Sequence, residues 1–472
     1  MSEEKEPNYN NSGLVDLVKR YEEMISKSTR YYFDVDAFEE IIDHYMSSGK
    51  SNLALSAVQH AFRQHPSSIS IQLKKAMLLN EKAQPLESLR ILRNIEKIEF
   101  NNPEVYFTKG MALILLNHIS GAIKEFNKAI YFADEDKSEI MFNIAVTLEQ
   151  HDHFDTALKY LLEAHDLEHD NLSYIFEIAY CYEKIDNPEK ALVYYNMFLD
   201  IDPFSENVWY NIGVLYNQTE NYEKAIEAYD FAISLDEEYA SAYFNKANTL
   251  ANKDDYEEAI SVYKELLYQE ENNEQVLCYI GECYEKMKQW DAALKYYRKS
   301  LAVNPEYADA WLGYGMVIFE QGSYNESLYY VEKALEYFPE NPEYWYSLGN
   351  IYIKLDKPED AIIAYRKAVS YDPQDFDSWL NLSEIYRNLQ RSDQGVQVLK
   401  EASRINPGNA LLNYRLAAHH LMNEKNEKAN YYLKIALALD YNLHKELFSY
   451  YPPAAKLDDV KKLIESFYSP LK

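Results

Sequence analysis

Apolar side chains along this chain fall at spacings of three and four, and the pattern restarts at a fixed interval. In the stretch that begins at Pro342, Trp345, Leu348, Gly349 and Tyr352 lie on one helical face, and Ala361, Tyr365 and Ala368 lie on another. Between the two runs stands LDKP, whose Pro358 suits the first turn of a second helix, where a missing N–H costs nothing. Pro373 stops that second helix. The pattern predicts a pair of helices joined by a short turn. WYSLGNIY at Trp345 returns as WLNLSEIY at Trp379, 34 residues later, and WYNIGVLY stands at Trp209, four such intervals earlier. A fixed period of this length is the mark of a repeat architecture.

Columns of like residues extend the period over most of the chain. Prolines recur at Pro203, Pro305, Pro339, Pro373 and Pro407. Small residues recur where a first helix must approach its neighbour: Ala76, Gly110, Ala145, Ala179, Gly213, Ala247, Gly281, Gly315, Gly349, Ser383 and Ala417. A second small column runs through Ala54, Ser88, Ala122, Ala157, Ala191, Ala225, Ala259, Ala293, Ser327, Ala361, Gly395 and Ala429, and its twelve members predict twelve units over 35–443. The segment FADEDKSE carries one extra residue, and the first unit has Ile42 where the others have a small side chain.

These residues resemble the tetratricopeptide repeat family, with its Trp, Leu-Gly, Tyr, Ala, Phe, Ala, Pro pattern of 34 residues. The resemblance implies an all-α fold, an α-α superhelix in which antiparallel helix pairs stack as a solenoid. It leaves 1–12 as a disordered N-terminus, 13–34 as an N-terminal capping helix and 444–472 as C-terminal capping helices. Leu14, Leu17, Val18, Tyr21, Met24 and Ile25 fall at helical spacing for the first cap, and HKELFSYY and LDDVKKLIESFY, split by Pro452 and Pro453, supply the second. Solenoid ends need such lids because an open end exposes a half-buried core.

Composition narrows the function. With 47 basic and 77 acidic residues the formal charge is -30, which argues against nucleic acid and favours a basic or neutral protein or peptide partner. The acidic, polar amino terminus has no signal-peptide core, and no apolar run is long enough to span a bilayer, so a cytoplasmic protein without membrane insertion is expected. Cys181, Cys278 and Cys283 form neither a metal spacing nor a disulfide framework. No phosphate loop, nucleophile elbow or HExxH pair is present, and the segments outside the repeats are too short for a catalytic core. His151 and His153 fall at a polar turn, and the adjacent His419 and His420 point to different helix faces. The reading is a protein that is not an enzyme and has no cofactor or metal.

In the resembled family the first helices line a concave groove, and residues left over by the packing columns face into it. Here those include Tyr210, Asn211 and Asn217 in the sixth unit and Phe244, Asn245, Asn248 and Asn252 in the seventh. A side-chain amide both donates and accepts, so such a cluster can replace the water bound to an extended peptide backbone. The arrangement looks like the asparagine ladders of some long tetratricopeptide superhelices, broken here by Tyr279, Gly313 and Ser347. Asn350, Asn381 and Arg415 fall on three places of the carboxylate clamp of heat-shock co-chaperones, while Tyr346 and Leu411 replace its lysines. The expected function is a protein-interaction scaffold; the alternative is a homo-oligomer whose groove holds another copy of itself.

Overall fold

The computed structural model describes residues 9–27, 31–134 and 136–467, with the backbone alone for 9–12. It is all-α, with 27 α-helices, two short 3-10 segments and no strand among the described residues. The chain forms two compact units, Met1–Asn221 and Tyr222–Lys472.

Unit 1 opens with α1 (Tyr9–Ser26), α2 (Val35–Ser47), α3 (Ser51–Gln64) and α4 (Ile69–Glu81). It continues through α5 (Pro85–Ile95), α6 (Pro103–Leu115), α7 (Ile119–Phe132) and α8 (Lys137–Glu149). It ends with α9 (Phe154–Leu167), α10 (Leu172–Lys184), α11 (Pro188–Ile201) and α12 (Glu206–Gln218). Unit 2 begins with α13 (Tyr222–Leu235), α14 (Ala240–Asn252), α15 (Tyr256–Gln269), α16 (Glu274–Lys286) and α17 (Trp290–Val303). Then come α18 (Ala308–Glu320), α19 (Tyr324–Tyr337), α20 (Pro342–Lys354), α21 (Pro358–Tyr371) and α22 (Phe376–Asn388). It closes with α23 (Ser392–Ile405), α24 (Ala410–Met422), α25 (Asn426–Leu439), α26 (His444–Tyr450) and α27 (Asp458–Phe467). Within each unit, helices pack on their sequence neighbours, and first helices also touch the next first helix, as α4 touches α6 and α16 touches α18.

Each short turn closes on one residue with left-handed φ. In unit 1 these are Gly49, Ala83, Asn117, Asp152, Asp186 and Glu220; in unit 2 they are Asp254, Lys288, Gly322, Asp356, Gln390 and Glu424. The following N–H then reaches back to a carbonyl of the last helical turn, as Lys357 does to Tyr352 at 2.9 Å. Only two of the twelve are glycine, so the closure is imposed by packing against the local preference of the chain. The packing is that of the two small columns, every member of which is buried. Serine in the second column is not a defect: Ser88 and Ser327 donate to the Ala76 and Gly315 carbonyls at 2.9 and 2.7 Å.

The tryptophan and proline columns are linked by a hydrogen bond. In unit 1 the Trp209 indole N–H donates to the Pro203 carbonyl at 3.0 Å; in unit 2 Trp311, Trp345 and Trp379 do the same to Pro305, Pro339 and Pro373. The extra residue near FADEDKSE lies at the entry of α8, since Ala145 stands eight residues after that helix begins and Gly110 and Ala179 stand seven after theirs. Glu135 in this segment lies outside the described residues.

Both ends of the chain turn apolar residues onto the adjoining helices. α1 starts at Tyr9, earlier than the expected 13, and buries Val18, Tyr21 and Met24 against Phe38, Ile41 and Ile42; Ile25 is left exposed. Residues 1–8 of the expected disordered segment lie outside the described residues. At the other end α26, a 3-10 turn at Pro452–Lys456 and α27 bury Leu447, Tyr450, Ala454, Val460 and Ile464 against α24 and α25.

Candidate functional site

The expected groove residues fall in both units. In unit 1, Tyr210, Asn211 and Asn217 are half-buried on α12. The Asn211 amide donates to the hydroxyl of Tyr195 on α11 at 3.3 Å, and that hydroxyl donates to Glu183 on α10 at 3.4 Å. In unit 2, Phe244, Asn245 and Asn248 are half-buried on α14, and Asn252 is exposed. Tyr263 of α15, itself buried, donates to Asn248 Oδ1. Phe244 meets Tyr279 of α16 edge-on at 5.4 Å, and Tyr279 stacks on Tyr263 at 6.0 Å.

The same arrangement recurs further along unit 2. Tyr365 of α21 donates to Asn350 Oδ1 at 2.6 Å, and the Asn381 amide of α22 lies beside the same hydroxyl. Asn211 and Asn248, expected to be left over by the packing columns, are engaged in the packing, and so are Asn350 and Asn381, expected at clamp places. Each supports the hydroxyl of a buried tyrosine of a second helix, a group that would otherwise lose its hydration. Gly313 is the exception that fits: a Cβ there would lie 2.4 Å from the Tyr297 ring, whose hydroxyl goes instead to Glu285 at 2.6 Å. Asn248 and Asn350 accept with their oxygen only, so each half-exposed amide nitrogen keeps its donors for another partner.

Arg415 does not stand as a clamp residue. Its Nη1 donates to the Leu380 carbonyl at 2.7 Å and to Ser383 Oγ at 2.9 Å, and its guanidinium lies 4.6 Å from the ring centroid of Tyr450. Burial lowers its pKa from the usual arginine value. Through these contacts the residue braces the C-terminal cap. Asn350 and Asn381 are therefore brought together by Tyr365, while Arg415 is turned away from them.

Carboxylates on the first helices of the pairs are a further feature, outside the residues expected from the sequence. In unit 1, burial and then the Glu149 charge push Glu177 up to about 7, and the Cys181 thiol donates to Glu149 at 3.1 Å. In unit 2, burial and then Glu285 and Asp309 push Glu282 up to about 7. Glu285 and Glu343 are raised by burial as well, and Tyr344 donates to Asp309 at 2.5 Å. The signal was available: Glu177 stands 34 residues before Asn211, and Glu282 stands 34 after Asn248. A cleft of about 340 Å³ nearby is lined by Glu343, Tyr346, Asp372, Asp375 and Asp377.

All three cysteines are buried and reduced, and no group of three or more His, Cys, Asp or Glu among the described residues is arranged to hold a metal ion. No helix among them is long and apolar enough to cross a membrane.

Tandem helix pairs closed by left-handed turns and packed through two small columns define a helical-repeat protein of the tetratricopeptide type. Tetratricopeptide repeat models match residues 103–136, 174–205 and 206–239, and the chain belongs to this family. Residues 237–446 match the model of the cilia and flagella-associated protein 70 C-terminal domain. No curated protein matches the chain significantly. Among solved structures, MamA is 20% identical, covers 36% of this chain and 94% of its own, and has a TM-score of 0.33. YrrB, described as a TPR protein with an unusual peptide-binding site, is 23% identical, with coverages of 39% and 95% and a TM-score of 0.30. The pilF protein of Pseudomonas aeruginosa is 19% identical, with coverages of 43% and 93% and a TM-score of 0.37.

Proposed function

We propose that this tetratricopeptide repeat protein is a non-enzymatic scaffold that holds an extended segment of a partner protein along its first helices. The observation that carries the reading is the tyrosine-braced amide. Tyr263 and Tyr365 fix the oxygens of Asn248 and Asn350, which leaves half-exposed N–H donors held in place beside Phe244, Tyr279 and Tyr346. Donors held this way match the carbonyl oxygens of an extended backbone, and little side-chain freedom is lost when they bind. The raised carboxyls of Glu282 and Glu343 and the net charge of -30 favour a segment that carries Lys or Arg.

The test is selection of binding segments from a displayed peptide library on the full chain, followed by titration against Asn248→Ala with Asn350→Ala. Two lost backbone hydrogen bonds, each worth about 0.5–1.5 kcal/mol, weaken the selected peptide about tenfold or more. Unchanged affinity in the double variant would place the peptide elsewhere.

A further inference from the structure

Tyr450 is driven as a wedge into the end of unit 2. Its ring lies between α22 and α24, with the Arg387 and Arg415 guanidiniums each 4.6 Å from its centroid. The hydroxyl donates its one proton to the Ser383 carbonyl at 2.8 Å, a group that can only accept. The fully buried His419 reaches the same oxygen through Nε2 at 2.9 Å. With the phenol proton committed, Nε2 carries the ring proton and donates it, and Nδ1 is the bare nitrogen. Nδ1 is buried and makes no hydrogen bond. The Cε1 edge of the ring, which Nδ1 flanks, packs on Gly395 of α23, where even a Cβ would sit 2.3 Å from the imidazole.

A proton arriving at Nδ1 would therefore create a cation with an unmet donor in a closed space. The charged groups around it offer no relief. Arg387 on α22, Arg415 on α24 and the neighbouring His420 are all basic. Glu384 on α22 is paired with Arg387 at 2.9 Å, Glu446 on α26 is exposed to water, and Asp393 on α23 is held by Lys425 at 2.8 Å.

We propose that α26 and α27 form an acid-released lid: protonation of His419 expels Tyr450 and undocks both helices from α22, α24 and α25, while the remaining helices of unit 2 stay folded. Burial holds the His419 imidazole down to about 4, with Arg415 and Arg387 reinforcing it and the Ser383 carbonyl opposing. His420 acts in the same sense. It is buried and stacked on Tyr432 at 5.3 Å, with neither ring nitrogen paired. It faces Lys400, Lys428 and Lys425, with Asp393 as the opposing carboxylate, and burial followed by the lysines brings it down to about 4. Release uncovers Leu421, Leu433 and Leu437, an apolar face that the lid keeps from water.

Hydrogen-exchange protection factors of the full chain, measured at about pH 7 and about pH 4, test the lid, with α14 to α19 as reference in the same sample. Each pKa unit is tenfold in the open-to-closed ratio, so α26 is expected to lose protection by about 100-fold or more ahead of the reference. His419→Gln keeps a donor for Tyr450 and cannot titrate there; with only His420 left to titrate, its loss should be smaller than that of the wild type by about tenfold or more. Equal loss in the variant and the wild type overturns the lid, as does loss that α14 to α19 share. Should the variant fail to fold at neutral pH, the wild type decides alone. Protection of α26 falling ahead of the reference supports the lid, and unchanged protection at about pH 4 overturns it.

Discussion

The two ends of the chain use the same pair of residues in different surroundings. At the N-terminal end Tyr21 of α1 packs edge-on against Phe33 and Phe38, and its hydroxyl lies 3.1 Å from His60 Nδ1. That nitrogen also donates to the Ser56 carbonyl at 2.9 Å, and the ring is half-exposed. At the C-terminal end Tyr450 meets a histidine with no exposure, between two guanidiniums, and one ring nitrogen of that histidine is buried without a hydrogen bond. One cap is held by aromatic packing, and its hydroxyl meets a histidine that is itself half-exposed. The other depends on a closed hydrogen-bond network. A buried polar network is strong while every member is satisfied and fails when one is not.

The largest expected effect is on removing each cap. Deleting 444–472 uncovers Leu421, Leu433 and Leu437, and deleting 1–34 uncovers Phe38, Ile41 and Ile42. At about 25 cal/mol per Å², exposing several hundred Å² costs several kcal/mol locally. Hydrogen exchange should show α24 and α25 fraying in the first truncation and α2 and α3 in the second, with aggregation in both. Unchanged protection in either pair would mean that the segment beside it is not a cap.

A smaller effect separates the two tyrosines. Tyr450→Phe leaves the His419 N–H without a partner in the interior and takes one of its two bonds from the Ser383 carbonyl, at about 1–3 kcal/mol, or roughly ten- to a hundredfold faster opening of α26. Tyr21→Phe leaves His60 bonded to Ser56 and near water, at less than about 1 kcal/mol. Exchange rates of α1 and α26 in the two variants check this, and equal effects would erase the distinction between the caps.

Much of the fold was legible because its packing rule is local and periodic. A small residue every 34 positions is needed wherever two first helices approach, so Ala247 and Ala259 could be read as buried without coordinates. The site was less legible because its hydrogen bonds cross columns. Asn248 is expected on the inward face of its helix, yet nothing in its column shows that the phenol of Tyr263 on the next helix reaches its amide. The engagement of Arg415 within the fold is hidden for the same reason. Its place in the column looks inward, but Tyr450, contributed from outside the repeat pattern, lies against it. Gly395 looked like one more small residue, although its lack of a side chain makes room for His419.

The smallest effect sharpens the comparison by its sign. His419 has a depressed folded pKa, so the stability of the C-terminal cap is complete above about 6.5 and is lost as pH falls toward about 4. Glu282 on α16 is raised to about 7, so its contribution is fully present below about 4.5 and is lost as pH rises through about 7. Acid therefore loosens the cap while it relieves the inner face of the same unit. Glu282→Gln removes the ionisation at a similar shape. It should stabilise α16 by about 1 kcal/mol near pH 8, a figure reduced for its partial exposure, and by almost nothing near pH 5. Local exchange in α16 across that range is the measurement. A variant equally stabilised at both pH values would show that Glu282 acts through packing, and the opposition between the cap and the inner face would rest on His419 alone.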